Sequence, residues 1–181
     1  MYEIPYEDKQ FFSLTSFTDK GKLAHYVNLI GENDVGMLSD AGTPWLSDPG
    51  KVLIQLCYEH DLRFSVLPGA NALVPAVVGS GFDTSSFVYI GFLPQKKGRQ
   101  TALKTAMQSQ IPTFFYESVY RMERLIKDLE ELGFDGKIMI LRELSKMFEE
   151  VQTLEMTQLV EKWQSWNLIL KGEFVVGVCP K

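Results

Sequence analysis

Cysteine is scarce in these 181 residues: there are two, Cys57 and Cys179, far apart and outside any CxxC pair. That spacing excludes a zinc knuckle and a thioredoxin-type redox site, which need neighbouring thiols. Histidine is equally sparse, and neither His25 nor His60 has a partner at metal-ligand spacing, so no metal site is expected. No apolar run approaches the roughly 20 residues that cross a bilayer. No signal-peptide pattern opens the chain. With so little cysteine, the expected location is a reducing cytoplasm. The phosphate cradles GxGxxG and GxxxxGK(S/T) are missing, as is a GxSxG elbow. Their absence removes the dinucleotide-fingerprint, P-loop and hydrolase-triad readings. Positive charge is also short, with 18 Lys and Arg against 23 Asp and Glu. An acidic chain lacks the broad cationic surface of non-specific nucleic-acid binding, though it can hold a local basic patch.

What is present fits a globular protein of one large domain or two small ones, with 45% hydrophobic and 23% charged residues. The most informative stretch runs from Leu38 to Gly50, LSDAGTPWLSDPG. An apolar run, Val35 to Leu38, stops at Ser39 and gives way to two turn clusters. A helical pattern then runs to about His60, with Ser47 or Asp48 as its cap. Arg63 to Leu67 reads as a second buried strand, again ending in small residues, Pro68-Gly69-Ala70-Asn71, and again followed by an apolar helix, Ala72 to about Ser80. Strand, small-residue turn, helix is how open α/β sheets build ligand sites, because small side chains let backbone N–H groups approach a ligand. Upstream, Phe11 to Leu14 is a short strand candidate, and Lys20 to Ile30 carries one apolar helical face.

The character changes at 82–86, where a domain boundary is expected: an N-terminal α/β domain over 1–84 with a mostly parallel sheet, and a C-terminal α/β domain over 85–181 with a mixed sheet. Downstream, strands are expected at Phe87–Leu93, Thr113–Tyr116, Lys137–Leu141, Val151–Leu154 and Phe174–Cys179. Helices are expected from the basic loop at Lys96-Lys97-Gly98-Arg99 to Gln108, from Ser118 to Leu132, and over Thr157–Trp166. Two strand-end turns, Tyr116-Glu117-Ser118 and Arg142-Glu143, each place polar groups after an apolar run. Glu117 and Arg121 stand at i,i+4 spacing for an ion pair.

Taken together, these segments resemble the tetrapyrrole (corrin/porphyrin) methylase superfamily. Within it they are most similar to the branch that methylates a cytidine ribose 2′-hydroxyl in small-subunit ribosomal RNA. The likeness rests on Ser39 to Pro44 with Ser47 to Gly50, Leu67 to Ala70, Gly91-Phe92-Leu93-Pro94 with Lys97-Gly98-Arg99, Phe115 to Ser118, Arg142 to Lys146, and Lys171-Gly172-Glu173, in the family's order. The resemblance implies two α/β domains, a homodimer, and S-adenosylmethionine bound in the cleft between the domains. It implies cofactor contacts at Ser39, Asp40, Ala41, Gly42, Thr43, Pro44, Pro68, Gly69 and Ala70, and at Tyr116, Glu117, Arg142 and Glu173. Lys96, Lys97, Arg99 and Arg121 are candidates to meet RNA. Lys146, Glu117 and Glu143 are candidate general bases, since a ribose hydroxyl is a poor nucleophile. The family's glycine-bearing first strand has no counterpart before Met1, so the first strands of the N-terminal domain are expected to be missing. The family's His-Arg after the Tyr-Glu-Ser turn is Tyr120-Arg121 here. Two alternatives stay open: C-methylation of a corrin or porphyrin precursor, and an inactive fold that only dimerises or binds cofactor.

Overall fold

The computed structural model describes residues 7–15, 17–40, 42–46, 50–165 and 168–181. It divides into two compact units, residues 1–70 and 71–181. The division falls earlier than 84/85 because the third helix packs with the second unit.

The second unit is built on one five-stranded mixed sheet: β1 Val88–Phe92, β2 Thr113–Glu117, β3 Gly136–Arg142, β4 Glu150–Glu155 and β5 Phe174–Pro180, in the order β1-β2-β5-β3-β4. Only β1 and β2 run parallel. They are joined by α4, Arg99–Gln108, the crossover that a parallel pair requires. After β2, a single 3-10 turn at Val119–Arg121 leads into α5, Met122–Glu131. Helix α6, Met156–Gln164, follows β4 directly through a capping box between Glu155 and Gln158.

Strand alternation sorts the core into two layers. Phe115, Ile138, Ile140, Val176 and Val178 face α4, α5 and α6, where Leu103, Leu125, Ile126, Leu129 and Leu159 meet them. Phe114, Met139, Leu141 and Val175 face the other way, against α3, Leu73–Gly79. Phe114 and Phe115 are both fully buried, as an unbroken apolar run predicts for a strand covered on both faces. Each such burial contributes about 1.5–3 kcal/mol relative to exposure. All five strands expected downstream of residue 85 form, within a residue or two.

The first unit contains α1, Lys20–Glu32, and α2, Lys51–Glu59, which pack together. Asp19 caps α1 by accepting the Lys22 N–H at 3.0 Å. The expected Ser47 and Asp48 cap lies outside the described residues. Three expected strands do not form a ladder: Phe11–Leu14, Val35–Leu38 and Arg63–Leu67 are irregular. Leu38 and Leu67 are 88% and 79% exposed rather than buried. A strand exists only by pairing, and among the described residues no backbone–backbone hydrogen bond joins these segments to a neighbouring strand. Among the described residues no helix is long and apolar enough to cross a membrane.

Candidate functional site

The sheet of the second unit collects the strand-end motifs along one edge. β1, β2 and β3 arrive there by their C-terminal ends and β5 and β4 by their N-terminal ends. The register runs Phe92 to Tyr116, Glu117 to Phe174, Phe174 to Arg142 and Arg142 to Glu150. Neighbouring strands lie about 4.8 Å apart, so residues distant in sequence become a continuous row. Tyr89, Phe92 and Tyr116 form an aromatic corner, with ring centroids 5.3 and 5.4 Å from Tyr116 in edge-to-face geometry.

Beside that corner lies a buried charge network. Arg99, the first residue of α4, is completely buried. Its Nε donates to Asp128 Oδ2 and its Nη1 to Glu117 Oε2, each at 2.7 Å. Glu117 Oε1 accepts from Arg121 Nε at 2.6 Å and from the Ser118 N–H at 2.8 Å. Burial works against the Arg99 charge, but the bonds and fields of Asp128 and Glu117 outweigh it and hold its pKa above the ordinary guanidinium value. Glu117, a candidate both for cofactor contact and for a base, is therefore a buried acceptor already engaged by three donors. Arg99, expected at an RNA-facing surface, is inside the fold, and Arg121 is mostly covered. Of the expected RNA contacts, Lys96 and Lys97 stand in solvent. Asp128 went unnoticed in the sequence. The signal was there: a carboxylate beside Leu125 and Leu129 on the buried stripe of α5 needs a buried cation.

Further along the edge, the turns after β3 and before β5 close on each other. The Glu143 N–H donates to the Glu173 carbonyl at 3.0 Å, and the Glu173 N–H to Glu143 Oε1 at 2.9 Å. Lys146 Nζ donates to Glu143 Oε1 and Glu173 Oε2, both at 3.0 Å. The turn is tight: Glu143 and Ser145 both have positive φ, 52° and 60°. Gly172 has φ 97°, and a Cβ there would collide with Glu143 Oε1, so only glycine fits. The Glu173 N–H and the Lys146 ammonium hold the Glu143 carboxyl below its ordinary pKa. Glu173 and Glu143 raise that of Lys146. As arranged, Lys146 is a protonated donor. Arg142 is anchored by Glu150 Oε2 at 3.2 Å and the Lys171 carbonyl at 3.4 Å. A depression of about 280 Å³ opens here, lined by Arg142, Glu143, Phe148 and Lys171 among others.

In the first unit the two small-residue turns are latched together. The Thr43 N–H donates to the Ala70 carbonyl at 2.8 Å, and Ser39 Oγ to the Gly42 carbonyl at 2.8 Å. A Cβ on Gly69 would come within 2.9 Å of Thr43 Oγ1, so glycine permits this close approach. Pro68, Gly69, Ala70, Asp40 and Gly42 are exposed, and Thr43 and Pro44 half-buried. Ala41 lies outside the described residues. The structure thus brings together Ser39–Pro44 with Pro68–Ala70 in one unit, and Tyr116, Glu117, Arg142, Glu143, Lys146 and Glu173 along one sheet edge in the other.

Comparison with known proteins agrees with this arrangement of elements. The model of the family Tetrapyrrole (Corrin/Porphyrin) Methylases matches residues 22–160. Ribosomal RNA small subunit methyltransferase I of Helicobacter pylori is 32% identical over 190 residues, covering 97% of this chain and 66% of that protein. The protein of the same name from Thermotoga maritima is 34% identical over 174 residues, covering 96% of this chain and 78% of its own length. The chain thus spans just under two thirds of the Helicobacter relative. Among solved structures, diphthine synthase superposes with a TM-score of 0.66 at 12% identity, over 91% of this chain and 68% of that one, a likeness of fold. This chain belongs to the tetrapyrrole (corrin/porphyrin) methylase family.

Proposed function

We propose that this chain is an S-adenosylmethionine-dependent methyltransferase that 2′-O-methylates a cytidine ribose in small-subunit ribosomal RNA, acting as a homodimer. The observation that carries the reading is the Glu143–Lys146–Glu173 cluster at the sheet edge, in a chain whose relatives are named ribosomal RNA small subunit methyltransferases.

The residues present fit the cofactor. Its carboxylate calls for backbone N–H donors and small side chains, and the latched turns Ser39–Pro44 and Pro68–Ala70 offer exposed backbone with glycine at the close approach. Once bound, S-adenosylmethionine supplies a methyl group already activated on a sulfonium, so positioning accounts for much of the catalysis.

The chain's own groups then handle the hydroxyl and its proton. Lys146, protonated between two carboxylates, donates to the ribose oxygen and stabilises developing negative charge on it. Among the described residues the bonds to Glu143 fall on Oε1, which leaves Oε2 to accept the hydroxyl proton as the oxygen–carbon bond forms. Arg142 and Gly172 hold the two turns in register. Glu117 acts from beneath, fixing the strand end that carries Tyr116.

The test is transfer of labelled methyl from S-adenosylmethionine to unmethylated small-subunit RNA or particles, with the product digested and the modified nucleoside identified by mass. The expected product is 2′-O-methylcytidine. Label on a corrin or porphyrin precursor, with none on RNA, would replace the reading with small-molecule C-methylation. Cofactor binding without transfer to either would leave an inactive binding fold.

A further inference from the structure

The basic cluster Lys96-Lys97-Gly98-Arg99 reads in sequence as one loop of equivalent cations. Burial splits it. Lys96 and Lys97 are exposed, while Arg99 is turned inward onto Glu117 and Asp128. A different arginine takes the surface position. Arg124, on α5, has a side chain 53% exposed. Its Nη1 donates to the Gln95 carbonyl at 3.1 Å, which pins α5 to the loop just before Lys96. A guanidinium has five N–H donors; here Nη1 meets Gln95 and Nε lies 3.8 Å from Asp128 Oδ2, and the half-exposed side chain keeps its Nη2 donors for a further partner.

The charges beneath are matched largely among themselves. Glu117 and Asp128 are buried and paired inside with Arg99 and Arg121, two cations against two anions, and Arg124 Nε reaches Asp128 Oδ2 from the surface at 3.8 Å. The exposed cations Lys96, Lys97 and Arg124 therefore act outward as a group, opposed at the surface by Glu123, the exposed neighbour of Arg124 on α5.

Building on the RNA reading above, we propose that Lys96, Lys97 and Arg124 form a phosphate-contact patch for the RNA backbone, held in place from beneath by Arg99 as a positioning residue. Guanidinium and ammonium groups on two elements suit phosphates spaced along a strand, and such contacts set register without reading bases. Arg99 ties three parts of the fold together: the start of α4, the end of β2 at Glu117 and the buried face of α5 at Asp128. It thereby fixes the loop relative to the sheet edge that carries Glu143 and Lys146.

Phosphate binding and positioning give different salt signatures. Removing one cation that neutralises a phosphate lowers the slope of log affinity against log salt by about 0.7 on a single strand. Loss of positioning weakens affinity and leaves the slope alone. The experiment measures binding of the full chain to a fluorescent, unmethylated single-stranded fragment of small-subunit ribosomal RNA by anisotropy, from about 50 to about 200 mM salt. Arg124→Ala is expected to reduce the slope by about 0.7, and the double variant Lys96→Ala/Lys97→Ala by about twice that. Arg99→Lys, which lacks the planar fork that meets Glu117 and Asp128 through separate nitrogens, is expected to weaken binding with an unchanged slope. Should Arg99→Lys fail to fold, Glu117→Gln, which weakens one arm of Arg99, leaves its charge and touches none of the three patch cations, carries the same expectation. A wild-type slope in Arg124→Ala overturns the patch while the RNA reading stands. A reduced slope in Arg99→Lys or Glu117→Gln overturns the positioning role. Wild-type protein that shows no salt-sensitive binding overturns the RNA reading and the patch together.

Discussion

Two clusters on the same sheet edge use the same chemistry, one cation shared between two carboxylates, in opposite surroundings. In the Arg99 cluster the guanidinium and Glu117 are wholly buried, and Asp128 nearly so. In the Lys146 cluster the ammonium is half exposed and Glu173 is 84% exposed. The first cannot change without leaving a charge stranded in a low-dielectric interior. The second is screened by water, can rearrange at small cost, and has room for a third partner. Arginine suits the first because its planar fork meets two carboxylates at once. Lysine suits the second because a compact ammonium can hand its donors to a substrate. Burial, rather than residue type, thus separates the cluster that holds the fold from the one placed to meet a ligand.

The comparison breaks most visibly on the buried side. Arg99→Met leaves Glu117 and Asp128 without their shared cation, and the loss of stability is expected to be about 3–5 kcal/mol in a denaturant titration. A smaller loss would mean that water reaches the site and that the two clusters differ less than their exposure suggests. Next comes Gly172→Ala, which forces a Cβ onto Glu143 at a positive φ. A cost of about 1–3 kcal/mol is expected by the same titration, with the Glu143–Lys146–Glu173 geometry disturbed and methyl transfer reduced. Lys146→Met should behave differently. The denaturation midpoint should barely move, while methyl transfer falls about 100-fold or more, the usual scale for losing a donor that stabilises developing negative charge. Unchanged transfer would remove Lys146 from the chemistry.

The smallest effect is in pH dependence. Glu143 has a folded pKa below its ordinary 4.5, so it contributes stability that is present above that value and lost as pH falls through the folded pKa. Lys146 has a folded pKa above its ordinary 10.5, so its contribution is full below that value and lost as pH rises through the folded pKa. The exposed cluster is therefore neutral to pH across the middle range and weakens only at the acid and alkaline ends. Midpoints measured across pH should lose part of their acid slope in Lys146→Met.

The same contrast explains what could be read in the chain beforehand. Strands β1 to β5 and helices α4 to α6 were legible because two-residue and helical periodicities report burial directly. The Glu117–Arg121 pair was legible because it is local, at i,i+4. The fate of Arg99 was not, because Lys-Lys-Gly-Arg reads the same whether its arginine points out or in. Its direction is decided by Asp128, 29 residues away. The positive φ of Glu143 and Ser145 also leaves no trace in composition, since neither residue is glycine or asparagine. In the first unit, apolar runs at Val35–Leu38 and Arg63–Leu67 promised buried strands, yet a run of β-branched and aromatic residues does not make a strand without a neighbour to pair with. The two small-residue turns that follow those runs still meet, through the Thr43–Ala70 bond and without a parallel sheet to carry them, because small residues permit that close backbone approach.

The central claim is that this fold holds S-adenosylmethionine, with the latched turns at Ser39–Pro44 and Pro68–Ala70 receiving its carboxylate. Calorimetric titration of the full chain with S-adenosylmethionine tests it most directly. Saturable heat with a rise in melting temperature is expected, both weakened by Gly69→Val, which crowds Thr43. No heat and no thermal shift in the wild-type chain would contradict it.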